Sequence, residues 1–169
     1  DDHDGIIELS DNFENGTSAI DALKLNDPVF EIGITPNRGD CLGVRGVARD
    51  LSAKGIGKLK PLKYEKITKL DFESPISWNI ENDNNSCEYV ISRYFKDVKN
   101  TVSPEWLQKK LISLGLRPIN ALVDITNFIT HDLGRPLHVF DADKVGKKLH
   151  MRLAKPNEKI LALDNKEYT

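Results

Sequence analysis

Residues 117–141, RPINALVDITNFITHDLGRPLHVFD, bring together an arginine, several uncharged polar side chains and a histidine. A guanidinium offers a fixed fork of donors, amides and hydroxyls both donate and accept, and an imidazole can orient a hydroxyl or a water near neutral pH. That set reads as a binding site, although its pattern alone does not name a ligand. The same residues also have a plainer explanation. Asn120, Asp124, Asn127 and His131 recur at i, i+4, i+7 and i+11, a spacing equally expected of a solvated helix face, and His138 can be a hydrogen-bonded core histidine.

The elements that must position these groups follow from punctuation and periodicity. Ser103-Pro104-Glu105 opens a helix over about 104–114 and Gly115 closes it, so that Arg117 falls just past a helix end, where a connection can aim it. A second helix, 120–133, sets its polar stripe against Leu122, Ile125, Thr126, Ile129 and Leu133, and Gly134 and Pro136 stop it. Residues 136–141 then alternate as a strand, with Leu137 and Val139 on one side and His138 and Phe140 on the other. A histidine beside a phenylalanine on that face implies partial burial.

Nearer the N-terminus, Val29, Glu31, Gly33 and Thr35 alternate with Phe30, Ile32 and Ile34, the pattern of a strand with one strongly apolar face. PNRGD at 36–40 breaks it, and Asp40 is placed to cap a following helix whose stripe is Val44, Val47, Ala48 and Leu51. One strand and one helix cannot bury both apolar faces, so this unit needs partners elsewhere. Gly43, Gly46, Gly55 and Gly57 read as packing and capping residues rather than a phosphate loop, because they lie within and after the helix. Further strands are expected over 76–80, 87–95, 148–153 and 159–163, with a turn at Pro156-Asn157-Glu158. The order of elements predicts an α+β fold with helices packed on a largely antiparallel sheet, preceded by a small partial α/β unit.

Composition narrows the classes of function. A chain of 169 residues with 39% apolar and 30% charged content is that of a globular protein of one or two domains. Its net charge of −2 creates no overall field to attract nucleic acid, so any RNA contact must be local. Six lysines between 54 and 69 form such a patch, for which a solvated connector is the simpler reading. Cys41 and Cys87 fit no metal-ligand spacing, and His131 and His138 lack a third ligand, so no metal is expected here. There is no signal peptide, no long apolar span, no phosphate-cradling glycine fingerprint, no Gly-x-Ser-x-Gly elbow and no His-Glu-x-x-His. A reducing cytoplasm fits this inventory, and two glycosylation sequons, at Asn15 and Asn84, are then chance matches. The first residue is Asp1 rather than Met, and the chain reads as a piece of a longer protein.

Two blocks carry a family resemblance. DPVFEIGITPNRGDCL at 27–42, followed by RGVAR at 45–49, resembles the segment that joins an inserted tRNA-binding module to the body of bacterial phenylalanyl-tRNA synthetase β-subunits, and residues 117–143 resemble the editing domain of the same subunits. The likeness runs over nearly the whole chain and is weakest between 63 and 86. DDHDGIIEL at 1–9 is similar to the exit from the inserted OB-type module, in the manner of α-proteobacterial members. The resemblance implies three regions: 1–26 as that exit, 27–64 as a connecting structural unit, and 65–169 as the N-terminal part of the editing domain. It implies a cytoplasmic parent that charges phenylalanine tRNA using ATP and magnesium, as an α2β2 assembly with a synthetase α-subunit, with no membrane or DNA partner. It also implies hydrolysis of tyrosine mistakenly esterified to that tRNA.

Chemistry explains why such a second site is needed. Tyrosine is phenylalanine plus a hydroxyl, which an apolar pocket rejects only weakly, whereas a site built to hydrogen-bond the hydroxyl leaves its polar groups unpaired with phenylalanine, at about 1–3 kcal/mol per buried group. By match to the family motif, Arg117 and His138 contact or orient the tRNA 3′ end, and Thr126 and Asn127 line the pocket. His138 holds the terminal ribose or the attacking water, an orienting role rather than that of a full general base. The family's acidic pocket residue and the glycines opposite it lie farther along than Thr169, so the resemblance implies an incomplete pocket that binds no cofactor and is inactive by itself. Two other readings stay open: an RNA-binding or subunit-assembly module without hydrolysis, and a free-standing hydrolase of another specificity.

Overall fold

The computed structural model describes residues 5–6, 9, 12–23, 26–66, 72–81, 87–162 and 165–169. Its elements are α1 (Ala19–Ala22), a 3-10 turn (Gly39–Cys41), α2 (Val44–Ala53), β1 (Ser77–Ile80), α3 (Glu105–Ser113), α4 (Ala121–Leu133), β2 (Lys148–Met151), β3 (Ile160–Leu161) and β4 (Glu167–Tyr168). Helices and small sheets coexist, so the class is α+β. Contacts gather the chain into two compact units, one of residues 1–62 with 100–139, the other of 63–99 with 140–169.

The first unit is helical, and its best-buried apolar pair comes from α3. Leu107 and Leu111, one turn apart on one face, are 1% and 0% exposed. Facing them, α4 packs along α3, with Trp106 edge-on to Phe128 at 5.5 Å between ring centroids. Both helices end as their glycines dictate. At the end of α3, Gly115 (φ 75°) donates to Ile112 O at 2.9 Å and Leu116 N to Leu111 O at 2.9 Å; at the end of α4, Gly134 (φ 66°) donates to Thr130 O at 2.9 Å.

The start of α2 differs from its sequence reading. Asp40 lies inside the 3-10 turn, Gly43 is the N-cap of α2, and the Asp40 carboxylate is taken up by arginines instead. The glycines do pack and cap as expected. A Cβ on Gly46 would stand 1.9 Å from Asp40 O, so only glycine lets the 3-10 turn lie on the first turn of α2. Beyond α2, Gly55 and Gly57 take φ of 88° and 86° and fold the chain back, with Ile56 N on Leu51 O at 2.9 Å and Leu59 N on Ser52 Oγ at 3.1 Å.

The second unit holds the strands. β1 and β2 pair in parallel, in a register that sets Trp78 opposite Leu149 and Asn79 opposite His150, while β3 and β4 form a short antiparallel ladder. Among the described residues one ladder is thus parallel and the other antiparallel. Asn157 (φ 64°) makes the expected turn, with Glu158 N on Lys155 O at 3.0 Å. Phe72 meets Tyr94 edge-on at 5.8 Å, with Lys96 Nζ 4.5 Å above the Phe72 ring.

Three expected strands are absent. Residues 29–35, 87–95 and 136–141 carry no ladder. Alternation reports which side chains share a face, but a strand also needs a neighbour for its N–H and C=O groups, and pattern does not supply one. Val29, Phe30 and Ile32 are all more than half exposed, so both faces of that segment are open. Within the strand expected over 159–163, residue 163 lies outside the described residues, as does Lys69 of the lysine run; the other five lysines of that run are exposed.

Candidate functional site

A buried carboxylate organises the block singled out above. Asp124, in the first turn of α4, is 0% exposed; it accepts a hydrogen bond from the hydroxyl of Ser103, itself 4% exposed, and another from Ile119 N at 2.9 Å. The other open donors of α4 are capped from both sides: Ala121 N by Thr101 O at 2.8 Å, Leu122 N by Asn100 Oδ1 at 3.2 Å and Val123 N by Asn120 Oδ1 at 3.1 Å. Two stretches, the one leading into α3 and the one leaving it, thereby converge on the N-terminus of α4, where a negative charge is also favoured by the helix dipole. Arg117 sits on the second stretch, between Leu116, tied to Leu111, and Ile119, tied to Asp124.

This overturns part of the stripe reading. Asp124 belongs by periodicity with Asn120, Asn127 and His131, yet it is turned into the protein, Asn120 is the N-cap, and Ile125 of the opposite stripe is 48% exposed. The hydrophobic pattern was outweighed by the demand of the buried Ser103 hydroxyl and the part-buried Ile119 N–H for an acceptor. Sequence reasoning missed this role for Asp124 and its partner Ser103. The signal available was an acidic residue in a helix's first turn, with a hydroxyl just before the preceding helix.

The four expected site residues are distributed as follows. Thr126 and Asn127 lie on α4 and are half-buried, and the Thr126 hydroxyl donates to Val123 O at 2.7 Å. Arg117 is exposed on its pinned connection. His138 is exposed too, together with the neighbouring Phe140, which corrects the expectation of partial burial. A concavity of 390 Å³ lies between α2 and the end of α4, lined by Val44, Ala48, Leu51, Ile56 and Leu133 among others, and a second of 270 Å³ adjoins Asp40, Arg45 and Arg49. None of Arg117, Thr126, Asn127 and His138 lines either one.

A strongly charged cluster lies around the PNRGD turn. Arg38 reaches Asp40 through Nε at 3.0 Å and Asp50 through Nη2 at 2.7 Å, and Arg49 also binds Asp40. Hydrogen bonding from Arg38 holds the Asp40 carboxyl down to about 2 and lowers that of Asp50, while the carboxylates raise Arg38. Cys41, 5% exposed, has its thiol pushed up chiefly by burial, which makes it a poor nucleophile. Asp40, Cys41 and Asp50 do offer three ligand atoms within 4.8 Å of one another. Two guanidinium groups already neutralise the carboxylates, so the cluster is a clamp on the turn rather than a vacant cation site. In the second unit, His150 Nε2 lies 2.8 Å from Glu81 Oε1 and 2.7 Å from Asn79 Nδ2, joining β1 to β2 through side chains as well as backbone.

Comparison with known proteins covers the entire chain. Residues 86–169 match the B3/4 domain family. Over 170 residues the chain is 51% identical to the phenylalanine–tRNA ligase β-subunit of Brucella melitensis, a stretch comprising 99% of this chain and 21% of that protein. Over 175 residues it is 53% identical to the subunit of the same name from Ruegeria pomeroyi, covering 100% of this chain and 22% of the other. The subunit from Paramagnetospirillum magneticum is 51% identical over 171 residues. The chain thus spans about a fifth of the length of the relatives it matches.

Proposed function

Since the chain belongs with the bacterial phenylalanine–tRNA ligase β-subunits, we propose that it forms part of the proofreading apparatus of such an enzyme. In this reading the complete ligase, a cytoplasmic assembly of β- with α-subunits, charges phenylalanine tRNA using ATP and magnesium bound outside these 169 residues. This region contributes to hydrolysis of mischarged tyrosyl-tRNA. Residues 27–64 serve as the connecting unit and 65–169 as the first part of the editing domain, with 1–26 the exit from an inserted tRNA-binding module.

The observation that carries the reading is identity above one half along this chain with about a fifth of the length of these β-subunits, together with the pinned geometry around Arg117. Arg117 supplies a guanidinium held on a fixed connection, suited to the phosphate or ribose oxygens of a tRNA 3′ end. Thr126 and Asn127 present a hydroxyl and an amide from the middle of α4, uncharged groups able to hydrogen-bond a tyrosine hydroxyl without the cost of burying a charge. His138 orients the terminal ribose or the attacking water. Its work is positioning, which can supply several kcal/mol of a barrier of this kind.

A second reading is favoured by one feature, the exposure of both Arg117 and His138: the block then grips RNA or another subunit without hydrolysis. The discriminating measurement is deacylation of tyrosyl-tRNA by the complete ligase, with and without His138→Ala. The editing reading expects loss of about 10- to 100-fold in deacylation with phenylalanine charging retained. Unchanged deacylation with weakened tRNA binding would favour the second.

A further inference from the structure

Helices α2 and α4 pack on one another, and where the residue before α2 meets the cap of α4 the approach is between backbones. A Cβ built on Gly43 would stand 2.2 Å from Gly134 N, 2.9 Å from Gly134 Cα and 2.9 Å from Leu133 C. Gly134 is the left-handed cap that ends α4 (φ 66°), and Gly43 is the N-cap of α2, with φ −147° and ψ 160° that any residue could adopt. The requirement for glycine at position 43 is therefore steric, not conformational. It is also one-sided, because a Cβ on Gly134 would meet Gly43 N at 3.4 Å and Leu42 C at 3.5 Å, close to ordinary contact.

What lies beyond the crossing gives it a consequence. After Gly134 come Arg135, Pro136 and Leu137, and then His138. Pro136 has a fixed φ and restricts Arg135 before it, so this short segment has little slack with which to absorb a shift at its root. The other side of the crossing is held as well. Gly43 O accepts from Val47 N at 3.2 Å, Gly46 lies against the 3-10 turn, and Arg38 and Arg49 clamp that turn through Asp40 and Asp50.

We propose that Gly43 is a positioning residue for His138: its missing side chain sets where α4 ends and hence where the histidine is presented. The connecting unit is then part of the framework of the editing site and not merely a spacer before it. This inference rests on the editing role proposed above.

In the complete ligase, Gly43→Ala must displace the end of α4 by on the order of 1 Å, and a misplacement of that size is expected to lower tyrosyl-tRNA deacylation by about 10- to 100-fold. Phenylalanine charging should stay within about threefold, with the loss in kcat rather than KM. Gly33→Ala, where a Cβ meets nothing within 4 Å, should leave both activities unchanged. Gly134→Ala is a milder insult at the same crossing, since it strains only the left-handed cap. It should lower deacylation several-fold, and it decides the matter if Gly43→Ala does not assemble. A ligase that edits normally with both substitutions overturns the inference while leaving the editing role intact. Parallel loss of charging and editing also overturns it, showing a general structural defect. If the unmodified ligase does not deacylate tyrosyl-tRNA, the editing role and this inference fall together.

Discussion

Asp124 shows how a single side chain can matter to a site it never enters. Its carboxylate is fully buried and serves Ser103 and Ile119 N at once, so Asp124→Ala leaves a buried hydroxyl and a part-buried amide without their acceptor. The expected cost is about 1–3 kcal/mol for each abandoned group. Asp124→Asn, which keeps one carbonyl oxygen, should cost less. Thermal melting of the two variants checks the order, and faster hydrogen exchange over 116–120 in the alanine variant would show that the connection bearing Arg117 has been released. At the other end of the unit, Asp40 permits a prediction of sign. Arg38 depresses its carboxyl from 3.8 to about 2, so the contribution of this pair is fully present above pH 4 and is lost only as the pH falls through about 2. A carboxyl titration followed by NMR should place the Asp40 midpoint near 2; a midpoint near 4 would mean that the clamp does not form in solution.

Helices were read from sequence more faithfully than strands, and the reason is local. The glycine stops at 115 and 134 act within a turn of themselves, and α3 and α4 begin and end within a residue or two of where their punctuation put them. The segments 29–35, 87–95 and 136–141 have the right alternation, but a ladder depends on a distant neighbour that no local pattern specifies. The placement of the candidate residues on their elements was legible to a similar degree. Arg117 does follow a helix end and Asn127 does sit on α4, whereas the inward turn of Asp124 depended on Ser103, 21 residues away. The α3–α4 pair also supports a prediction at this scale. Leu111 is 0% exposed against α4, so Leu111→Ala should destabilise the unit by about 2–5 kcal/mol, whereas Ile112→Ala, at a position 59% exposed, should stay within about 0.5 kcal/mol. Chemical denaturation would test the contrast, and equal effects of the two would contradict the packing described.

At the scale of the whole molecule, what stands out is how much apolar surface is left uncovered. Among the described residues, Phe30, Leu42 and Val44 are 78%, 63% and 67% exposed, and few side chains are buried below one-tenth exposure. Isolated exposed apolar residues are ordinary, but Val44 also lines the concavity between α2 and α4, and apolar surface in a concavity suits a contact with another part of a larger assembly. The matched relatives, about five times as long, contain ample chain for that purpose. The same incompleteness applies to the chemistry, because Arg117 and His138 stand exposed while only Thr126 and Asn127 are half-buried. Hydrolysing an aminoacyl ester demands that ring, ester and water be fixed together in a site that excludes bulk solvent, and under the proposed editing reading these four residues supply only part of such a site. The 169-residue chain alone should therefore fail to deacylate tyrosyl-tRNA above the uncatalysed rate, even at high concentration. Under the proposed editing reading, the complete β-subunit assembled with an α-subunit should do so readily. A side-by-side deacylation assay at matched concentrations decides it, and robust hydrolysis by the short chain would mean that the whole pocket is contained within these residues.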